Sequence, residues 1–235
     1  MYREELVGAA YLLGNIYIVV KGCCNVLVHS GHSPYEMTGK IPVDGMEAVD
    51  IATSYIDICV YVLDNGNGRV SRIGQNHDVG TAIDGLRRGN LLSMSVAKGG
   101  RIIIVEEASL VRTYTKDGIL AVSDRSMYEP FKQCVLHAVE VASDFIVCTD
   151  SHVTKRTRAG TTDLRLLHAD NAIGCRYITI DRDGNPIVCD CVRHRVIQLD
   201  SESLKVTDTL LTLEQDGIQN PQHVQYVLDK KPSCR

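Results

Sequence analysis

The sequence has no tryptophan and only two phenylalanines among its 235 residues. Proteins that bind single-stranded nucleic acid combine a positively charged groove with aromatic rings on which successive bases stack. This chain offers few such rings, and its formal net charge is -4, without the basic excess of a dedicated nucleic-acid-binding protein. RNA binding is therefore a disfavoured alternative function.

The sequence also lacks a cationic signal segment and a long hydrophobic run. The N-terminal stretch MYREELVGAAYLLGNIYIVVKG carries two acidic residues, and its apolar run is too short and interrupted to cross a membrane. The composition, 44% hydrophobic and 23% charged, is that of an ordinary globular protein. We expect one domain spanning residues 1–235, monomeric and cytoplasmic, without membrane contact.

Cysteine pairs with the spacing of a metal site are missing, although nine cysteines are present. Cys148 and Cys189 lie in apolar, strand-like runs, where a free cysteine acts as a small hydrophobic residue. We expect reduced, mostly structural thiols. Cys189, Cys191 and His194 lie close together, but a structural zinc ion takes four nitrogen or sulfur ligands. The sequence therefore predicts no metal site here.

The sequence contains none of the common catalytic motifs. GxSxG, HExxH and the phosphate-binding GxxxxGK[ST] are all absent, which removes the motif-based argument for a hydrolase, a zinc protease or a P-loop enzyme. We expect a protein without enzymatic activity and without a cofactor.

Short apolar segments recur along the chain at a nearly constant spacing. Residues at equivalent segment ends are 44, 42, 43 and 41 positions apart, namely Val20, Asp64, Glu106, Thr149 and Asp190. A period in the low forties is typical of propeller blades or of HEAT-like helical repeats. Each unit is rich in Val, Ile, Thr and Tyr, and no window sustains a helical spacing. The pattern predicts an all-β propeller of about five to six four-stranded blades.

The predicted blades occupy five successive parts of the chain, followed by the start of a further blade at 218–229. Their approximate bounds are 11–45, 46–88, 89–128, 129–172 and 173–213. The sequence leaves two alternatives for how the ring of blades is closed. HVQYVLD (223–229) can supply the inner strand beside NIYIVV and close five blades, or LVGAAYLL (6–13) is itself that inner strand and the ring is open.

Two of the repeats resemble a known family. GNPIVCDCVRHRVIQLD, with Asp190 and Arg195, and VLDNGNGRVSRI, with Asp64 and Arg69, are similar to the NHL repeat. In that repeat an apolar strand ends in Asp, a polar turn follows, and Arg begins the next strand. The recurrence of both residues predicts an ion pair or hydrogen bond that braces the turn.

The NHL resemblance covers most of the chain as architecture, although the third and fourth units have Glu106 and Thr149 in place of the Asp. It implies a six-bladed propeller, of which this chain is a partial copy. It also implies a recognition module, since NHL propellers often serve as the recognition end of tripartite-motif ubiquitin ligases. Some NHL propellers instead bind single-stranded RNA.

The loops that join the second and third strands of each blade are the predicted binding face. Rigid scaffolds with variable loops are typical of binding sites. The candidate contact residues in these loops are Lys21, Arg69, His152, Arg193 and His194. We expect this face to bind a protein partner.

The alternative is a propeller hydrolase or lyase with a metal in its channel. The predicted inner strands offer His137, Asp50 and Asp181, but the sequence shows no matched set of ligands from several blades. His137 is expected to be a buried structural histidine. The basic cluster TKRTR (154–158) is expected to be a solvated surface strand.

Overall fold

The protein folds into five similar antiparallel sheets. A computed structural model describes residues 5–107, 110–124, 134–142, 144–149, 152–156, 162–166 and 174–227. Each sheet has four strands that pair in chain order, the first strand innermost and the fourth outermost. The all-β propeller predicted from the repeat is confirmed.

The first two blades show how the sequence sets the strands. In the first strand, Leu6–Leu12, burial alternates along the chain, and every second residue from Gly8 is buried. The strands of these blades are β1 (Leu6–Leu12), β2 (Asn15–Val20), β3 (Asn25–Ser30), β4 (Met37–Pro42), β5 (Ala48–Ser54), β6 (Cys59–Asp64), β7 (Arg69–Ile73) and β8 (Val79–Ile83).

The remaining three blades repeat this arrangement, and one short helix follows them. Their second strands are buried throughout because sheets pack on both faces, as in Ile102–Glu106. The elements are β9 (Leu91–Val96), β10 (Ile102–Glu106), β11 (Leu110–Tyr114), β12 (Leu120–Asp124), β13 (Val135–Val141), β14 (Asp144–Thr149), β15 (Val153–Arg156), β16 (Thr162–Leu166), β17 (Cys175–Ile180), β18 (Pro186–Asp190), β19 (Arg195–Leu199), β20 (Val206–Thr212) and α1 (Leu213–Asp216).

The inner strands lie side by side around a central channel. β1 contacts β5, β5 contacts β9, β9 contacts β13 and β13 contacts β17. Apolar clusters fill the space between neighbouring sheets, so the core is divided into layers between blades. Among the described residues, no helix is long and apolar enough to span a membrane.

Blade number and bounds differ from the sequence-based prediction. Five blades are present in the described part of the chain, so the six-bladed prediction is corrected to five. LVGAAYLL supplies β1, the inner strand of blade one, and that blade therefore begins at Leu6 rather than at residue 11. Residues 218–227 form no ladder, and 228–229 lie outside the described residues.

Residues 218–227, the C-terminal segment, connect blade five with blades one and two. The Gln225 side chain accepts a hydrogen bond from Tyr11 N at 2.8 Å and donates one to Thr53 Oγ1 at 2.9 Å. Val224 and Tyr226 pack against apolar side chains of blade five. The segment thus connects the last blade with the first two by side-chain contacts. It does not pair as a strand with any of the described sheets.

The Asp and Arg residues of the best-matching repeats meet in the structure. Asp64 and Asp190 are fully buried, and each accepts a hydrogen bond from the Nε of its arginine, Arg69 at 3.2 Å and Arg195 at 3.0 Å. Asp64 also accepts from Glu47 N, at 3.0 Å. These carboxylates tie the turn to the strand pair.

The NGNG turn of blade two requires glycine at Gly68. Its φ is 65°, in the left-handed region, and a Cβ there would lie 2.3 Å from the carbonyl oxygen of Leu86. Any larger residue would clash with the backbone of the next connection. This glycine therefore allows the two backbones to pack closely at the turn.

Two expectations about individual side chains are wrong. Cys148 of β14 and Cys175 of β17 form a disulfide between blades four and five, although reduced thiols were expected. Their strands face each other only in the folded ring, which the sequence does not reveal. In TKRTR, Thr154 and Arg156 are buried, because β15 is the third strand of its blade rather than a solvated one; 157–158 lie outside the described residues.

Replacing Arg195 by alanine should destabilise the protein, because the buried Asp190 carboxylate would lose its charged donor. Hydrogen bonds to charged groups contribute about 1.5 to 3 kcal/mol, and we expect a loss in that range. Urea unfolding measures it. Arg193→Ala is the matched control, since its guanidinium lies 3.8 Å from Asp190 and should contribute less. An unchanged unfolding free energy for Arg195→Ala would contradict the bracing role.

Deleting residues 218–235 should lower the melting temperature markedly. The deletion exposes the apolar surface of blade five and removes both Gln225 hydrogen bonds. Gln225→Ala should reproduce about 1 to 2 kcal/mol of the loss. Circular dichroism melts of both variants measure the effect. If the truncated chain melts at the wild-type temperature, the segment does not bridge the ends of the propeller.

Candidate functional site

A cavity of about 1490 Å³ occupies the centre of the propeller. Its walls are the ends of inner strands β5, β9, β13 and β17. Its lining extends into the turns that follow these strands, to Tyr55, Lys98, Ala142 and Asp183. The cavity therefore opens on the face formed by the turns between first and second strands, which we call the turn face. The predicted loops lie on the opposite face.

The lining of the cavity mixes aromatic and charged side chains. Tyr55, Tyr177 and Tyr226 contribute rings, and four carboxylate residues stand against two cationic ones. The carboxylates belong to Glu140, Asp181, Asp183 and Glu202, and the cations to Lys98 and Arg182. The lining is thus more acidic than basic.

A buried carboxylate organises the inner strands below the cavity. Asp50 Oδ1 accepts from Ile51 N at 2.8 Å, and Oδ2 accepts from Met94 N of the next blade at 2.7 Å. The carbonyl oxygen of Met94 contacts His137 Nε2 of the following blade at 3.3 Å. Asp50 and the backbone of Met94 therefore link three successive blades to one another.

Three aromatic rings stack beside Asp50. The Tyr177 ring packs against both imidazoles, with centroids 4.0 Å from His137 and 3.9 Å from His223. The Nε2 atoms of His137 and His223 are 3.8 and 3.7 Å from different oxygens of Asp50. No group of three metal-ligating side chains with suitable geometry occurs in the described ranges.

Burial sets the protonation of this stack. Burial lowers the pKa of His137 to about 4, against the opposing effect of Asp50, so its imidazole is neutral near pH 7. Burial, and then the Asp50 carboxylate, raise the pKa of Tyr177 well above its usual value. His137 Nε2 faces only acceptors, Met94 O and Asp50, and therefore carries the proton. Its Nδ1 is then an acceptor, and it has no partner among the described residues.

Of the three inner-strand residues predicted from the sequence, the structure brings two together. Asp50 and His137 meet through Met94, whereas Asp181 lies at the cavity wall in its own turn. There Asp181 accepts from the backbone N–H groups of Asp183 and Asn185, both at 2.8 Å. Burial raises the pKa of Asp181, but these hydrogen bonds outweigh it and the pKa is lowered.

The five predicted loop residues each contact their own chain. Lys21 pairs with Glu5 at 2.9 Å, Arg69 and Arg193 contact the buried aspartates of their blades, and the buried His152 contacts Thr149. His194 Nδ1 accepts from Asn220 N at 3.0 Å. These contacts place the residues on one face but leave their predicted role in partner binding as a prediction.

Comparison with known proteins supports the fold. No protein-family profile and no curated protein sequence matches this chain. Among solved structures, a streptogramin B lyase is similar, with a TM-score of 0.72 at 9% identity, over 96% of this chain and 74% of that one. Virginiamycin B lyase from Staphylococcus aureus gives 0.70 at 11%, over 95% and 75%. A chain of a nidogen/laminin complex gives 0.68 at 15%, over 94% and 87%.

The chain is a five-bladed β-propeller. Identities of 9 to 15% show this fold alone, and the NHL family is not confirmed. The propellers that resemble it include lyases and a chain from a protein–protein complex, so the fold is compatible with both catalysis and protein binding.

Sequence reasoning missed Tyr177 and Glu140 as cavity residues, and His223 as a neighbour of Asp50. Asp50 and His223 are far apart in the chain, and the C-terminal segment reaches the channel only through tertiary contacts. Glu140 was hidden in an apolar strand, where it pairs with Arg101 of the neighbouring blade. One usable signal existed: Asp50, Met94 and His137 follow each other at nearly the repeat spacing.

The buried His137 should make stability fall as the pH drops from about 6.5 to 4. Its folded pKa of about 4 lies below the ordinary 6.5, so the unfolded chain binds a proton first and acid favours unfolding. The difference corresponds to about 3 kcal/mol, lost fully only below pH 4. Asp50, His223 and Tyr177 surround the ring.

Urea unfolding at pH 4.5 and 7.5 measures this dependence. His137→Gln should show a smaller difference between the two pH values than the wild type. His32→Gln, at an exposed position, is the control and should keep the wild-type difference. Equal pH dependence in wild type and His137→Gln would contradict the assignment.

Proposed function

We propose that this chain is a non-enzymatic β-propeller module that binds a segment of a protein partner on its turn face. One observation carries the proposal: the central cavity opens there beside exposed apolar side chains. The partner segment lies across these side chains and enters the cavity.

The apolar side chains form a patch on neighbouring turns of blades one and two. The turn patch consists of Leu13, Tyr55, Ile56 and Ile58, and Leu13 and Ile56 are 63% and 61% exposed. The Tyr55 hydroxyl lies 3.4 Å from the carbonyl oxygen of Tyr11, which joins the two turns. Tyr55 also lines the cavity, so patch and cavity are continuous. Contiguous exposed apolar surface is typical of interaction sites.

The size of the cavity favours a chain segment over a small metabolite. Pockets for small molecules enclose about 300 to 1,000 Å³. The volume here, about 1490 Å³, exceeds that range and accommodates several residues of an extended segment. The nidogen/laminin structure, whose chain has a similar fold, comes from a complex between proteins.

The turn face also differs from the loop face in how its side chains are engaged. On the loop face, the candidate residues contact carboxylates or backbone of their own chain, as Arg69 and His194 do. On the turn face, the side chains of Leu13, Ile56 and Ile58 project into solvent. We therefore place the partner on the turn face and retain the loop residues as a secondary surface.

An enzyme is the second candidate, and the pairing of Asp50 with His137 favours it. We infer a structural role for this pair instead, supported by the backbone N–H hydrogen bonds that both Asp50 oxygens accept. His137 Nε2 is nearer to Met94 O, at 3.3 Å, than to Asp50, at 3.8 Å. A base oriented by a carboxylate needs a direct hydrogen bond between them. Binding is therefore the better-supported function.

A random peptide library displayed on phage tests the proposed function. Peptides selected on the wild-type protein should bind Ile56→Asp at least tenfold more weakly, because a charge in the turn patch opposes burial of apolar surface. Val192→Asp is the control: Val192 is similarly exposed, at 63%, in the turn between β18 and β19 on the loop face. Peptides that lose affinity only for Val192→Asp would place the partner on the loop face, against the proposal.

A further inference from the structure

We propose that the cavity contains a recognition site for a guanidinium group, the side chain of an arginine carried by the bound segment. The inference rests on the proposed function for the source of the arginine, but the site itself is testable with small molecules. The site consists of Glu140 on the wall of a cavity whose lining also contains tyrosine side chains.

Glu140 is the residue on which the site depends. Its side chain is 3% exposed, and Oε1 forms an ion pair with Arg101. Oε2 has no hydrogen-bond partner among the described residues. A buried polar atom left without a partner costs about 1 to 3 kcal/mol, so a donor that reaches it is stabilising.

A ligand can reach this oxygen from the cavity. Glu140 is one of the lining residues and lies near the end of β13. The terminal torsion of a glutamate is soft, so a small rotation turns Oε2 toward the cavity. The side chain of Arg101 is 34% exposed and can move with it.

The rest of the lining suits a planar cation. Tyr55 and Tyr226 contribute rings to the lining, and arginine stacks on tyrosine faces while its five N–H donors match a carboxylate. Asp183 in the lining adds negative charge.

A second acceptor lies deeper in the cavity wall. His137 Nδ1 has no partner among the described residues, and the residue is 1% exposed. His137 and Glu140 are three positions apart on β13, about 10 Å, and their side chains point to opposite faces of the strand. His137 Nδ1 therefore binds a different donor of the same segment, an amide or hydroxyl group, and not the same guanidinium.

Calorimetric titration with two matched probes, both blocked at their amino and carboxyl groups, tests the site. N-acetyl-arginine amide carries the cation, and N-acetyl-citrulline amide has nearly the same shape without the charge. We expect the arginine probe to bind the full chain at least tenfold more tightly than the citrulline probe. Equal affinities, or tighter binding of N-acetyl-glutamate amide, which Lys98 and Arg182 would favour, would overturn the proposal.

Two variants with opposite expected effects keep the test independent of folding. Glu140→Gln should weaken binding of the arginine probe at least tenfold. Arg101→Met removes the competing cation and should strengthen it severalfold. A merely structural ion pair would make both variants weaker, which contradicts the site. Glu214→Gln, at an exposed position in α1, is the charge-matched control and should change affinity less than twofold.

The small-molecule result and the phage selection separate the two proposals. If the arginine probe binds through Glu140 but no selected peptide depends on Ile56, the guanidinium site is supported and the proposed partner on the turn face is contradicted. If peptides depend on Ile56 but contain no excess of arginine and the probe does not bind, the partner stands and the cation site is wrong.

Discussion

The arrangement of this propeller depends on hydrogen bonds between the inner strands of neighbouring blades. The Asp50 carboxylate accepts a hydrogen bond from Met94 N, and the carbonyl oxygen of Met94 contacts His137 Nε2. The Ser95 hydroxyl donates to Ala138 O at 2.7 Å. The partners in these contacts are 43 or 44 residues apart in the chain. These separations equal the repeat period, so each bond joins equivalent positions of successive blades. Apolar layers between sheets supply most of the burial, but they are not directional. The polar bonds fix how blades two, three and four are placed around the channel.

The same geometry gives the two faces of the molecule different properties. At the loop face, buried Asp64 and Asp190 bind their arginines and the turn backbone, which uses the charges of that face internally. At the turn face, the inner strands end around an open cavity and apolar residues remain exposed. At the loop face, buried ion pairs stabilise the turns. At the turn face, apolar side chains are exposed and polar groups line an open cavity. The second end is therefore the one suited to a partner.

The ionisable side chains beside the channel are engaged by packing and by backbone hydrogen bonds. The Tyr177 ring packs against both His137 and His223, and the Nε2 atoms of the two imidazoles face the Asp50 carboxylate. The Asp50 carboxylate is occupied by backbone N–H groups. Both features engage Asp50 and His137, two of the inner-strand residues that the sequence offers as candidates for channel chemistry. They leave acceptors on the wall, at His137 and Glu140, where a ligand can donate.

The sequence by itself determined the repeat period, the strands of each blade and the positions of the Asp and Arg residues at the turns. These features are local: alternation marks a strand, and an aspartate five residues before an arginine can meet it across one turn. The tertiary structure alone decided the blade number, the path of residues 218–227, the disulfide between Cys148 and Cys175, and the side on which the cavity opens. Each of these depends on contacts between blades, and strand periodicity carries no information about how sheets are arranged around a common axis.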